Sequence, residues 1–382
     1  MKETADIAYS IINTRKKLEN LVNTIENEKA IGVDLEADSM YHFKEKVCLI
    51  QLATPTKNVV IDPLIVEDLF PLKPIFQRGD ICKIFHGADY DVRSLFRDFR
   101  ISINHLFDTE LACRFLGFPE SGLEAVLKRK FEITLNKKYQ RKDWSKRPLS
   151  QAMVAYAAKD AGYLLPLAQS LRTELEKKGR LSWVHEECEY LSKVRPNTAH
   201  TKPLFMNFKG AGKLDPRSLA VLEALLQFRL KIARKKDKPL FRIFGSRSLL
   251  ELATKKPVNL TQLEKAQAIS PKQISMYGRE LVAAIENAIT IPSNNLPAYP
   301  RKKSPKVPLT VARRVKVLKR WRDRQVKKLA IDPALICTKS LISTIAVQRP
   351  MTLEALSAIK EMKNWQKKEF GRDIIEALKQ VR

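Results

Sequence analysis

An internal repeat in the second half of this 382-residue chain constrains its fold more than any other feature. Phe228-Arg229 matches Trp321-Arg322, Ala253 matches Ala346, Pro257 matches Pro350, Leu263 matches Leu356, and Gly278-Arg279 matches Gly371-Arg372, each pair offset by 93 residues. Pro, Gly and an aromatic-Arg pair recurring in one ungapped register mark a duplicated module, and this half reads as nearly all helical. The Pro/Asn/Ser-rich stretch from Ile291 to Pro308 separates the copies, and a second boundary falls near Arg195 to Lys209. We therefore expect a first domain over 1–207, a helical module over 208–292, a linker over 293–308 and a second helical module over 309–382.

Charge divides the chain in the same way. The 70 Lys+Arg and 42 Asp+Glu leave a net charge of +28. Residues 1–200 hold 31 basic and 28 acidic residues, net +3, whereas residues 201–382 hold 39 and 14, net +25. Such asymmetry points to a polyanion, above all nucleic acid, as the partner of the second half. No stretch reaches about 18 consecutive apolar residues, and the chain opens on MKETADIAYS, with carboxylates where a signal peptide would be basic and apolar. The expectation is an intracellular, cytoplasmic protein with no membrane association and no evident obligate protein partner. Cys48, Cys82, Cys113, Cys188 and Cys337 are scattered and never form C-x-x-C, so neither a disulfide framework nor a zinc ribbon follows. Gly-Ala-Gly-Lys at 210–213 lacks the spacing of a phosphate-binding loop, which argues against an ATPase.

In the first half, Leu18, Leu21, Val22 and Ile25 predict a short amphipathic helix. Three β-like runs follow, Ala30–Leu35, Val47–Ala53 and Val59–Ile61, and suggest an antiparallel meander. A fourth, Ile81–Phe85, leads through His86-Gly87-Ala88 into a helix over Asp89–Phe99. Helical segments then dominate, including 121–130 and 150–176. Strands first and helices later indicate an α/β or α+β layer structure.

Several acids could hold metal. Asp34 and Glu36, at i and i+2 on the first long strand, point to one face of the sheet. Their repulsion is relieved if a divalent cation sits between them, although a solvated edge strand would present the same pattern. In Phe85-His-Gly-Ala-Asp89-Tyr-Asp91, a strand delivers two acids at a helix start, where one of them could simply be a cap. Tyr156 and Asp160 share a helical face.

The order D-x-E on a strand, H-G-A-x-x-D, then Y-x-x-x-D on a late helix is far more specific than its parts. The chain resembles ribonuclease D through GVDLEAD (32–38), KIFHGADYDVRSLFRDF (83–99), LFDTELACRFLG (106–117), DWSKRPLS (143–150) and YAAKDAGYLL (156–165). The 93-residue repeat resembles the helicase-and-RNase-D C-terminal (HRDC) module, present twice. The resemblance implies an α/β, ribonuclease-H-like (DnaQ-like) exonuclease domain with a mixed sheet, followed by two all-α HRDC domains. It implies a 3′–5′ exoribonuclease of the tyrosine-bearing DEDD subclass, releasing 5′-nucleoside monophosphates and acting in tRNA 3′ maturation. Carried across, the metal ligands become Asp34, Glu36, Asp91 and Asp160, with Tyr156 as the fifth catalytic residue. Asp91 rather than Asp89 takes the family's position, and Asp108 is expected to be structural.

Two Mg²⁺ or Mn²⁺ ions about 4 Å apart would then be held by four carboxylates. An unperturbed phenol near pKa 10 is a poor base, so Tyr156 is expected to orient water rather than deprotonate it. His86, Trp144 and Arg147 are candidate substrate contacts, Trp144 as a stacking platform and Arg147 on a phosphate; the alternative for that segment is a loop whose Trp packs on the core while its charges stay solvated, and His86, which has no zinc-site spacing, reads more readily as a turn residue beside the metals. The rival functions are a catalytically weak RNA-binding scaffold and a 3′–5′ exonuclease acting on DNA, since nothing in the sequence reads a 2′-hydroxyl.

Overall fold

The computed structural model describes residues 8–196, 202–300 and 308–381. The described residues divide into two compact units, one within 8–37, 47–196 and 308–381, the other within 38–46 and 202–300.

The first unit is built on a six-stranded mixed sheet: β1 (Tyr9–Ile12), β2 (Ala30–Ala37), β3 (Val47–Ala53), β4 (Asn58–Ile61), β5 (Cys82–Phe85) and β6 (Leu106–Asp108), in the order β1-β4-β3-β2-β5-β6. The expected meander is β2-β3-β4, with antiparallel pairs, while β5 joins β2 and β6 joins β5 in parallel. All seven residues of β3 are buried, as a near-continuous apolar run in a central strand requires. β1 and β6 are not among the expected strands: β1 is a half-exposed edge strand without the buried apolar run that marks β4 and β5 at the same length, and β6 has three residues. The helix expected over 150–176 is two, Gln151–Gly162 and Leu164–Lys177, broken at Tyr163. All five cysteines are buried and free. No single helix among the described residues is long and apolar enough to cross a membrane.

The second helical module belongs to this same unit, so the chain-order division expected from the sequence is crossed. The reason is a shared aromatic core and a set of helix-end contacts. Trp365 stacks on Trp183 at 4.7 Å between ring centroids and lies edge-on to Phe115 at 5.5 Å. The Glu186 carboxylate accepts from the Asn364 and Trp365 N–H groups at 2.7 and 2.8 Å, satisfying donors at the start of the Asn364–Lys379 helix. Glu187 accepts from Trp365 Nε1 at 3.0 Å, and Arg180 donates to the carbonyls of Phe115 (2.7 Å) and Leu329 (2.8 Å). Residues 1–207 alone would expose this aromatic face, and the catalytic part is therefore not expected to be self-sufficient.

The other unit is the first helical module, together with the β2–β3 connection. His42 Nδ1 lies 2.6 Å from an Asp237 carboxylate oxygen, the Phe43 N–H donates to the other at 3.0 Å, and the Arg242 guanidinium sits over the Tyr41 ring. The two modules repeat in atomic detail. Gln273 Nε2 donates to the Ile243 carbonyl, and Gln366 Nε2, 93 residues on, to that of Ile336. The repeated glycines mark a close approach: a Cβ on Gly278 would lie 2.9 Å from Leu260, and one on Gly371 2.9 Å from Leu353. The linker residues 301–307 and the boundary residues 197–201 lie outside the described residues.

Trp365→Ala should remove about 3–5 kcal/mol of stability. Urea unfolding followed by tryptophan fluorescence checks this, and a loss below about 1 kcal/mol would contradict a shared core.

Candidate active site

The central position of β2 places Asp34 and Glu36 on one face of the sheet, and the Gln151–Gly162 helix covers that face. Ser150 caps this helix by accepting from the Met153 N–H, and a run of alanines lets it lie close. At Gly32 the approach is closest: a Cβ there would stand 2.8 Å from the Ala161 carbonyl oxygen. Only glycine allows the helix to bring Tyr156 and Asp160 down beside Asp34 and Glu36.

Asp91 arrives from the next parallel strand. β5 ends at Phe85, the chain turns, and the helix Asp89–Phe99 begins without a side-chain cap of its own. The turn is held by Asp108, whose carboxylate accepts from the Gly87, Ala88, Glu110 and Leu111 N–H groups at 2.8–3.2 Å. That is the structural part expected of it. Asp91 points inward at 8% exposure, whereas Asp89 faces solvent in an ion pair with Arg93.

The four carboxylates feel one another. Burial raises Asp34 to about 6. Burial, then Asp34, raises Asp160 to about 8. Burial, then the charges of Asp34, Asp160 and Asp91, raises Glu36 to about 10. Asp91 is raised by burial, Asp34 and Asp108. Tyr156 is pushed upward by burial and by Asp160, Glu36 and Asp34, so its hydroxyl keeps its proton at neutral pH. None of the four acids has an ion-pair partner among the described residues. As they stand, no three His, Cys, Asp or Glu side chains among those residues form a group that could hold an ion. Like charges with no cation between them repel.

Asp34, Glu36, Tyr156 and Asp160 line a cleft of about 660 Å³. Its other walls include Glu124, Lys128, Thr134, Lys137 and Gln140, with Lys137 and Glu124 paired at 2.5 Å. The sequence reading missed these residues, although the basic run Lys137-Lys138-Tyr139-Gln140-Arg141-Lys142 was a usable signal.

Of the three candidate substrate contacts, Trp144 and Arg147 are corrected, and His86 has the turn position weighed for it. Trp144 is fully buried and offers no stacking platform; its ring lies under Tyr156, 6.1 Å between centroids and 29° from parallel. Arg147 is consumed internally. It forks onto Asp62 at 2.6 and 2.8 Å and also donates to the Trp144, Lys146 and Cys48 carbonyls, leaving nothing for a phosphate. His86 is held in the turn rather than on the cleft wall, with Nδ1 2.9 Å from Thr109 Oγ1. The Thr109 hydroxyl donates to the Phe85 carbonyl, so Nδ1 carries the imidazole proton, and burial keeps the ring neutral.

A ribonuclease-H-like sheet with acids from β2, the post-β5 turn and a covering helix defines the chain as a nuclease of the 3′–5′ exonuclease class. A 3′-5′ exonuclease family model matches residues 9–176, and an HRDC domain model matches residues 218–285 and again 311–378. The chain is 30% identical to ribonuclease D of Escherichia coli over 290 residues, 76% of this chain and 77% of that protein. It is 29% identical to ribonuclease D of Granulibacter bethesdensis over 374 residues, 96% and 91% of the two chains. The crystal structure of Escherichia coli ribonuclease D superposes with a TM-score of 0.74 at 25% identity, over 98% of this chain and 99% of that one. The catalytic core of RRP6 from Trypanosoma brucei gives 0.65 at 31% identity, over 74% and 80%. The chain belongs to the ribonuclease D family, and it is a 3′–5′ exoribonuclease.

A carboxyl with a raised pKa in the folded protein holds its proton where the unfolded chain has lost it, so stability falls as pH rises between the two pKa values. In EDTA, the thermal midpoint should therefore fall steadily from pH 5 to pH 8, and Asp160→Asn should flatten the slope. A midpoint that rises over this range, or an unchanged slope in Asp160→Asn, would contradict the charge crowding.

Proposed function

We propose that this chain removes nucleotides one at a time from RNA 3′ ends, tRNA precursors above all, by metal-dependent hydrolysis at Asp34, Glu36, Asp91 and Asp160. The observation that carries the reading is the convergence of three half-buried, mutually repelling carboxylates, Asp34, Glu36 and Asp160, at one cleft, with the buried Asp91 raised by the charge of Asp34, and no basic side chain among the described residues paired to any of the four. An all-oxygen donor set of this charge suits two hard divalent cations, Mg²⁺ or Mn²⁺. When bound, such ions supply the Lewis acidity that makes water a nucleophile and stabilises charge on the leaving 3′ oxygen.

The protein's own part is positional. Asp34 and Glu36 hold their spacing because the sheet fixes it, and Asp160 and Tyr156 hold theirs because Gly32 seats the covering helix. Tyr156 is given the part of orienting the attacking water, since an ordinary phenol is a poor base. Trp144 beneath it and Tyr139 edge-on at 5.7 Å leave its ring little room to tilt. Hydrolysis at the terminal phosphodiester releases a 5′-nucleoside monophosphate.

Asp34→Asn, Asp91→Asn and Asp160→Asn should abolish hydrolysis of an RNA oligonucleotide with the fold intact, whereas Asp89→Asn should leave it unchanged. Tyr156→Phe should lose at least about 100-fold in kcat with metal binding kept. Activity in Asp91→Asn together with loss in Asp89→Asn would reverse the assignment.

The C-terminal half supplies affinity. On the Leu309–Leu329 helix, Arg313, Lys316, Arg320, Arg324, Lys327 and Lys328 are exposed and fall on one face, where helical spacing of three and four residues puts them. At the first three of these positions the first module has Ala220, Glu223 and Gln227, so the second copy is the more strongly basic. Each phosphate neutralised on a single strand contributes about 0.7 to the salt slope of log K. Changing Arg313, Lys316 and Arg320 together to Gln should lower that slope by about 2, measured on one tRNA precursor. An unchanged slope would show that this helix does not hold RNA.

A further inference from the structure

Gln51 on β3 is completely buried, and neither its Nε2 nor its Oε1 has a hydrogen-bond partner. Burying an amide without partners is costly, and most buried polar side chains avoid it. Its place in the sheet is informative. The β2–β3 register sets Gln51 directly opposite Asp34, with Leu49 opposite Glu36 and Ala53 opposite Gly32. Residues opposite one another on antiparallel strands share a face, with Cβ atoms about 4.5–5.5 Å apart. On the far side Gln51 faces Val60 of β4, and Leu49 and Val60 pack with Val154, Ala157 and Ala158 of the covering helix. The amide therefore sits in apolar surroundings beside one polar neighbour in register, the Asp34 carboxylate.

We propose that Gln51 is a positioning residue for the metal site, donating from Nε2 to the Asp34 carboxylate oxygen that faces away from the ion. This rests on Asp34 being a metal ligand, as argued above. A ligating carboxylate has a second oxygen to satisfy, and partners that satisfy it fix the orientation of the first. The Gln51 amide makes no such bond in the structure, and a turn of the Asp34 carboxylate toward a cation would complete it. The orphaned amide is thus kept for the loaded state.

The test uses the full-length protein carrying Gln51→Met, which keeps the length of the side chain and removes its polar atoms. Three quantities are measured: the thermal midpoint in EDTA, Mn²⁺ affinity by calorimetry, and kcat and KM on an RNA oligonucleotide across Mn²⁺ concentrations. The midpoint in EDTA should be unchanged or higher, because no bond is lost there. Mn²⁺ should bind about 10- to 100-fold more weakly. kcat should recover at saturating Mn²⁺, with KM for RNA unchanged. A lower midpoint with undiminished Mn²⁺ affinity would assign Gln51 to packing and overturn the proposal. If Gln51→Met does not fold, Gln51→Asn, which withdraws the amide by one methylene, should weaken Mn²⁺ in the same way, and equal affinity overturns the proposal. Wild-type protein that takes up no Mn²⁺ would overturn the metal site itself. Wild-type binding matched by the variant overturns only the part given to Gln51.

Discussion

Everything at the active site depends on the seating of one helix on one strand. Gly32 leaves no side chain beneath the Ala161 carbonyl, and that contact fixes how far Tyr156 and Asp160 stand from Asp34 and Glu36. The contact is steric and the groups it brings together are acids. Alanine packing and sheet burial thus hold carboxylates at positions they would not choose electrostatically.

The residues that appeared chemical in sequence and proved structural share one explanation. Trp144 and Arg147 lie in a segment mixing an aromatic with basic groups, a composition equally suited to gripping nucleic acid and to pinning a loop. Tertiary packing selects the second. The ring is needed as a floor for Tyr156, and the guanidinium is needed to tie the segment to Asp62, which itself caps a turn of helix by accepting from the Leu64 N–H. The side chains that do line the cleft come instead from the 120–140 stretch, which sits further from the motifs.

The duplication has a similar lesson. The two helical modules keep the same internal bonds at the same offset, so their folds answer to one pattern. Their surroundings differ. The second presents Trp365 and the start of its last helix to the Leu181–Ser192 helix and becomes part of the catalytic unit, while the first has Ser270, Pro271 and Lys272 where the second has Lys363, Asn364 and Trp365, and gathers the β2–β3 connection instead. Divergence at a few exposed positions has given two copies of one module different attachments.

By itself the sequence determined the class of fold, the duplication and its register, and the charge asymmetry, because each is encoded in motif order, spacing or composition, and it put forward Asp34, Glu36, Asp91, Tyr156 and Asp160 as candidates through the resemblance their motifs carry. Motif order favoured Asp91 over Asp89, and the fold turns Asp91 inward and Asp89 to solvent. Short strands such as β6, the break at Tyr163, the cleft walls, the sharing of a core between sheet and second module, and the pairing of Gln51 with Asp34 were decided by tertiary structure alone. Each depends on which residues meet across long separations in sequence. Periodicity describes one element's face and carries no record of what will be packed against it.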